Sequence, residues 1–105
     1  MNSFKQLVDG FQGNHNLAFS SFENEANITY DELHKQIYVY VNKLHEIDTD
    51  DKVVLFDVPN IEWVCVYFAV ILKNGIIVPV DTRVSETFLH SVIENIKPKI
   101  IISNS

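Results

Sequence analysis

Ten consecutive residues from Trp63 to Leu72 carry no charge, and no other feature of the chain constrains its fold as much. A helix without a polar side is buried nearly all round, so this segment needs apolar neighbours in several directions. Two such neighbours flank it. Val53 to Val58 is an apolar run broken only by Asp57, and Ile76 to Val80 is a second, closed by Asp81. Runs of this kind suit parallel strands covered on both faces. Asn60 supplies a helix cap, and Glu62 sits in the first turn, where the helix dipole favours a carboxylate. Lys73 and Gly75 follow in the order expected of a helix end, a cation and then a left-handed stop. Together they predict a parallel βαβ unit with a right-handed crossover.

The remaining segments extend that unit. Ser3 and Gln6 form a capping box, Phe4, Leu7, Val8 and Phe11 share a helical face, and Gly13 is expected to stop that helix. Leu17 to Phe22 reads as a strand, Glu23-Asn24-Glu25 as a turn and Ala26 to Ile28 as the return strand of an antiparallel hairpin. A second capping box, Thr29 with Glu32, opens a helix with the stripe Tyr30, Leu33, Ile37, Tyr40, Val41 and Leu44, running to about Glu46. Asp48 to Asp51 is a solvated turn. Ser85 and Glu86 open a last helix with the stripe Phe88, Leu89, Val92, Ile93 and Ile96. Pro98 ends it, and Lys99 to Ile102 reads as a third buried-type strand.

The expected fold class is α/β: an N-terminal helix and β-hairpin, then a three-stranded parallel βαβαβ sheet with flanking helices. An apolar final strand with no covering helix after it marks an incomplete domain, because sheet edges are normally paired or protected. Taken alone, such a chain is expected to self-associate or to be marginally stable.

Charge narrows the function classes. Eight basic residues against fourteen acidic give a net charge of −6. Nucleic-acid grooves and anionic membrane surfaces both need clustered Lys and Arg, so neither partner is expected. The uncharged run of ten residues is too short for a membrane span, which takes about 20 residues. No basic segment followed by an apolar stretch marks a signal peptide. Cys65, the single cysteine, rules out an internal disulfide and fits a reducing cytoplasm.

No catalytic or metal-ligating set stands out. Glu86, His90 and Glu94 lie four apart on the polar face of the last helix and read as solvated surface. His34 and His45 lack the ligand spacing of a zinc site, His15 lies in a polar turn, and Cys65 has no neighbouring base. Trp63 and Tyr67 read as packing aromatics. Asp57 and Asp81 both fall at strand carboxyl ends, which brings in a non-catalytic flavodoxin-like adaptor or signalling module as the alternative. The phospho-acceptor form of that fold needs an acidic pair after its first strand and a Lys after its last, and neither is present. A plain protein-binding adaptor remains open.

Four short motifs in register carry a resemblance. Thr29, Tyr30, Glu32 and Leu33 match a T-Y-x-E-L helix start. Asp51, Lys52 and Val53 match a G-D-x-V strand entry, with Asp50 where Gly is usual. Asn60, Glu62 and Trp63 match an N-x-x-E-W start with one residue fewer. Lys73, Gly75 and Pro79 match K-x-G-x-x-x-P-x-x-P, with Thr82 in place of the second Pro. Over about residues 17 to 103 the chain resembles the N-terminal part of the large domain of the AMP-forming acyl-CoA ligase superfamily. On that resemblance residues 1–105 belong to the AMP-binding (adenylation) domain, whose remainder is the expected partner. The implied parent enzyme uses ATP and Mg to form an acyl-adenylate and transfers the acyl group to coenzyme A. The segment Pro79 to Ser85 leans toward acyl-CoA ligases, fatty-acyl ones included, over peptide-synthetase domains.

The family's Gly/Ser/Thr-rich phosphate loop, ribose-binding Asp and catalytic Lys have no counterpart here. This piece is therefore expected to be inactive and to bind no cofactor of its own. Only one family site carries over, the loop that in some members touches the nucleotide end of coenzyme A, matched by Thr82 and Arg83. The competing reading makes Arg83 an ordinary surface residue and Asp81 the cap of its turn.

Overall fold

The computed structural model describes residues 3–20, 27–58 and 60–103; for Ser3, Leu17, Phe19, Ser20 and Asn27 it describes the backbone alone. A short helix α1 (Ser3–Asp9) leads into β1 (Leu17–Ser20) and β2 (Asn27–Thr29), which pair antiparallel with an irregularity between Leu17 and Phe19. The Glu23–Glu25 turn, the outer ends of both expected strands and the Ser3 side of the first capping box lie outside the described residues. Gly13 is left-handed at φ 78°, as a chain stop should be. The helix itself, however, ends four residues earlier, and turns bonded Gly10 N to Gln6 O and Phe11 N to Val8 O fill the gap.

The Thr29 capping box is fully formed. The Thr29 hydroxyl accepts from the Glu32 amide at 3.2 Å, and the Glu32 carboxylate accepts from the Thr29 amide at 2.9 Å. It launches α2 (Tyr30–Lys43), which stops short of the expected Glu46. Leu44 leaves helical geometry, and the turn that follows drives Ile47 into the core with 1% of its surface exposed.

Strands β3 (Lys52–Phe56), β4 (Ile76–Pro79) and β5 (Ile100–Ser103) form one parallel sheet in the order β4-β3-β5. Val53 stands between Ile77 and Ile100, and Val54 between Val78 and Ile101. Helices α3 (Ile61–Leu72) and α4 (Glu86–Ile96) make the two crossovers. The chain steps from β3 to one neighbour and then back across it to the other. Right-handed crossovers therefore place α3 and α4 on opposite faces of the sheet.

Two cores meet at α3. Cys65 joins Val8, Ile28, Leu33 and Ile37 of the hairpin and helix layer. Val66 and Val70, one and five residues on, join Ile47, Val53 and Leu55 against the sheet. That double duty explains the absence of charge between Trp63 and Leu72. Burial is less complete than the sequence suggested: Cys65, Val66, Ala69 and Val70 are buried, while Trp63, Val64, Tyr67, Phe68, Ile71 and Leu72 are half-buried.

The end of α3 corrects one expectation. The left-handed residue is Asn74, at φ 62°, and not Gly75. Gly75 is required for space instead. A Cβ there would lie 2.9 Å from Val70 Cγ1, 3.1 Å from Ile47 Cγ2 and 3.2 Å from the Asp51 carbonyl. Asp50 is also left-handed, at φ 66°, and its amide bonds the Asn74 carbonyl at 2.9 Å, so the two turns brace each other.

Candidate functional site

The carboxyl ends of adjacent parallel strands form the natural ligand position of an open α/β sheet. Here the ends of β3 and β4 border a cleft of about 490 Å³ lined by Asp57, Val58, Trp63 and the segment Pro79 to Arg83. Asn60 fixes one wall by accepting the Trp63 amide at 2.8 Å, which starts α3 and sets the indole at the cleft. Trp63 also stacks on Tyr67 with ring centres 5.3 Å apart, so it serves both packing and the cleft wall. Val80 anchors the opposite wall, its amide bonding the Leu55 carbonyl at 2.9 Å.

The loop beyond Val80 is shaped by Asp81. Its carboxylate accepts the Arg83 backbone amide at 2.8 Å, closing a turn. The same carboxylate takes a two-pronged bond from the guanidinium, at 3.0 Å from Nε and 2.6 Å from the terminal nitrogen. These bonds from Arg83 hold the Asp81 carboxyl down at about 2 and raise the guanidinium's own value. Thr82 is exposed, and the Arg83 side chain is 88% exposed. The structure thus brings Thr82 and Arg83 to the cleft rim, and Asp81 is the cap of its turn. Sequence reasoning missed the side-chain pair, although a D-x-R spacing after a strand was a readable sign of it. Asp57, the other carboxylate of the cleft, accepts the Val58 amide at 2.7 Å.

A second polar group was not foreseen. Asp9 at the end of α1 accepts from Tyr38 Oη at 2.7 Å and lies 3.3 Å from His34 Nε2, with Lys5 on its other oxygen. Bonds from Lys5 and then Tyr38 hold the Asp9 carboxyl at about 2. These residues lie 25 and 29 positions apart, so no local pattern announces them. The group clasps α1 onto α2.

Glu86, His90 and Glu94 are all exposed on α4. Burial pushes the Cys65 thiol up to about 11, so it is protonated at neutral pH and unsuited to nucleophilic work. Among the described residues no cluster of three or more His, Cys, Asp or Glu is placed to hold a metal, and no helix is long and apolar enough to cross a membrane.

The model of the AMP-binding enzyme family matches residues 8–105. The chain belongs to that family. No curated protein matches the sequence. Solved structures similar to this chain include the inhibitor-bound N-terminal domain of FACL13 from Mycobacterium tuberculosis. It is 16% identical with a TM-score of 0.86, over 96% of this chain and 26% of that one. ATP-bound MatB from Rhodopseudomonas palustris is 26% identical with a TM-score of 0.85, over 96% and 21%. The N-terminal subdomain of Klebsiella oxytoca NpsA with anthranilyl-AMSN is 18% identical with a TM-score of 0.81, over 98% and 27%. The chain therefore spans about a quarter of the length of these AMP-binding relatives. One departure from the motifs now has a physical reason. Asp50 stands where Gly is usual, and its left-handed backbone is the conformation that favours Gly there.

Proposed function

We propose that these residues form the N-terminal part of the large domain of an ATP-dependent acid–thiol ligase. The whole protein would join a carboxylate to AMP and then pass the acyl group to the thiol of coenzyme A. The observation that carries this reading is the family match over residues 8–105 on a parallel sheet whose similar structures include ATP-bound MatB. Magnesium would accompany the triphosphate. The Pro79 to Ser85 segment favours an acyl-CoA ligase, fatty-acyl ones included, over a peptide-synthetase domain, and a reducing cytoplasm suits the single buried Cys65.

The ATP site belongs to residues outside the described sheet. A phosphate cradle needs unobstructed backbone N–H groups, and Gly75 is instead packed against Val70 and Ile47. Gly10 and Gly13 sit in the turns after α1. The role left to this piece is to supply one layer of the domain and the cleft at Asp81 to Arg83. That cleft suits the phosphate-rich end of coenzyme A: Arg83 offers a planar two-pronged donor for phosphate and Thr82 a hydroxyl, beside an indole wall. The exposed side of α4 would meet the remainder of the domain, or a second copy when the piece is alone.

The direct test is carboxylate-dependent exchange of pyrophosphate into ATP. The full-length protein should exchange, and residues 1–105 alone should not. Exchange by the short piece would move the ATP site into it; silence from both would remove the protein from the ligases.

A further inference from the structure

An anion arriving at the cleft does not meet a free guanidinium. Arg83 already spends Nε and one terminal nitrogen on Asp81, so the side-on edge of the fork is taken and a phosphate meets a guanidinium that is already partly engaged. Asp57 and Asp81 against Arg83 leave the cleft's formal charge at −1. The pair is nonetheless easily opened: Arg83 is 88% and Asp81 47% exposed, and exposed ion pairs contribute little to stability. The backbone bond from the Arg83 amide holds the turn independently of the guanidinium.

We infer that Asp81 is an internal competitor for Arg83, a carboxylate clasp that a phosphate group must displace to take the side-on edge of the guanidinium and that weakens the cleft's hold on a phosphorylated ligand. This inference rests on the reading of Thr82 and Arg83 as contacts to coenzyme A. Displacement leaves the Asp81 carboxylate beside the incoming phosphate, so like-charge repulsion is added to the lost pairing. Asp81→Asn removes both effects while its amide oxygen still accepts the Arg83 backbone N–H. Asp57→Asn makes the same change in charge within the same cleft without releasing the guanidinium.

The test measures binding of coenzyme A, and of pantetheine as a phosphate-free control, to the full-length protein and its variants at physiological ionic strength. Arg83→Ala should weaken coenzyme A several-fold, and Asp81→Asn should tighten it about three- to tenfold. Asp57→Asn should tighten it less than about twofold, because a half-buried carboxylate with no direct contact to the guanidinium acts only across the solvent-open cleft, where charge is screened. Pantetheine should be unaffected throughout. Asp81→Ser, too short for the guanidinium but still able to accept the turn amide, should repeat the gain and guards against a loop artefact in the Asn variant. If Arg83→Ala weakens binding but Asp81→Asn tightens it no more than Asp57→Asn, the clasp is overturned and the cleft stands. Unchanged binding in Arg83→Ala overturns the cleft reading and the clasp with it.

Discussion

The two crossover helices are both apolar toward the sheet, yet α3 is charge-free from Trp63 on whereas α4 is apolar only along a stripe, and they meet different fates. On α3, Cys65, Val66, Ala69 and Val70 are buried, and the sheet residues beneath, Val53 and Leu55, are sealed to 1% exposure or less. On α4 no residue is buried; Phe88 is 53% exposed, and Ile101, on the edge strand β5, is 46% exposed. Propensity does not separate them, since both have side-chain caps, Asn60 accepting the Trp63 amide and Ser85 the Phe88 amide. What separates them is company. α3 is enclosed by a sheet on one side and a helix–hairpin layer on the other, whereas α4 has only the sheet. A stripe states which face must be covered and leaves open what covers it.

The largest test of that contrast compares truncations on the two sides. Leu55→Ala should cost about 2–5 kcal/mol in urea unfolding, and Phe88→Ala below about 1 kcal/mol. Equal losses would mean that α4 is covered after all, and sedimentation at several concentrations would then reveal a second copy as the cover. The next test compares the turns that end the two helices. Gly75→Ala should cost about 1–3 kcal/mol by forcing a methyl against Val70 and Ile47. Lys97, left-handed at φ 53° after α4, should accept Gly with a change below about 1 kcal/mol. A costly Lys97→Gly would show that α4's end is as constrained as α3's.

The smallest effect sharpens the enclosure of α3 from its outer side. Asp9 has its carboxyl value lowered from 3.8 to about 2, so the folded state binds its proton less readily than the unfolded one. Its contribution is complete above the ordinary carboxylate value and is lost as pH falls through about 2. Amide exchange should therefore show α1 loosening in that acid window before the β3 amides do. Asp9→Asn should abolish the pH dependence, and simultaneous loss of α1 and β3 protection would show that the clasp is not separable.

Most of the fold was readable because its signals are local. The capping boxes, the charge-free segment and the runs at Val53, Ile76 and Ile100 each report on a few neighbouring residues; the order β4-β3-β5 was not among the expectations, because handedness fixes only the face each crossover helix takes. What escaped reading depends on approach between distant parts. Gly75 looked like a stop because Gly often is one; only the positions of Ile47 and the Asp51 carbonyl reveal it as a space requirement. The Asp9 group joins two helices across more than twenty residues of chain. At the cleft, the sequence showed Thr82 and Arg83 only as a loop beyond a strand end, while the pairing that occupies Arg83 became visible only with side-chain geometry.

Because α3 is a party wall between two rooms, its position cannot be adjusted for one without disturbing the other. A tilt that closed a gap beside Cys65 would open one beside Val66. Substitutions on either side should therefore be felt in both. Apart from α1, whose hold depends on Asp9, the hairpin layer and the sheet are expected to melt together, and sequence change along this helix is expected to favour paired replacements over single ones.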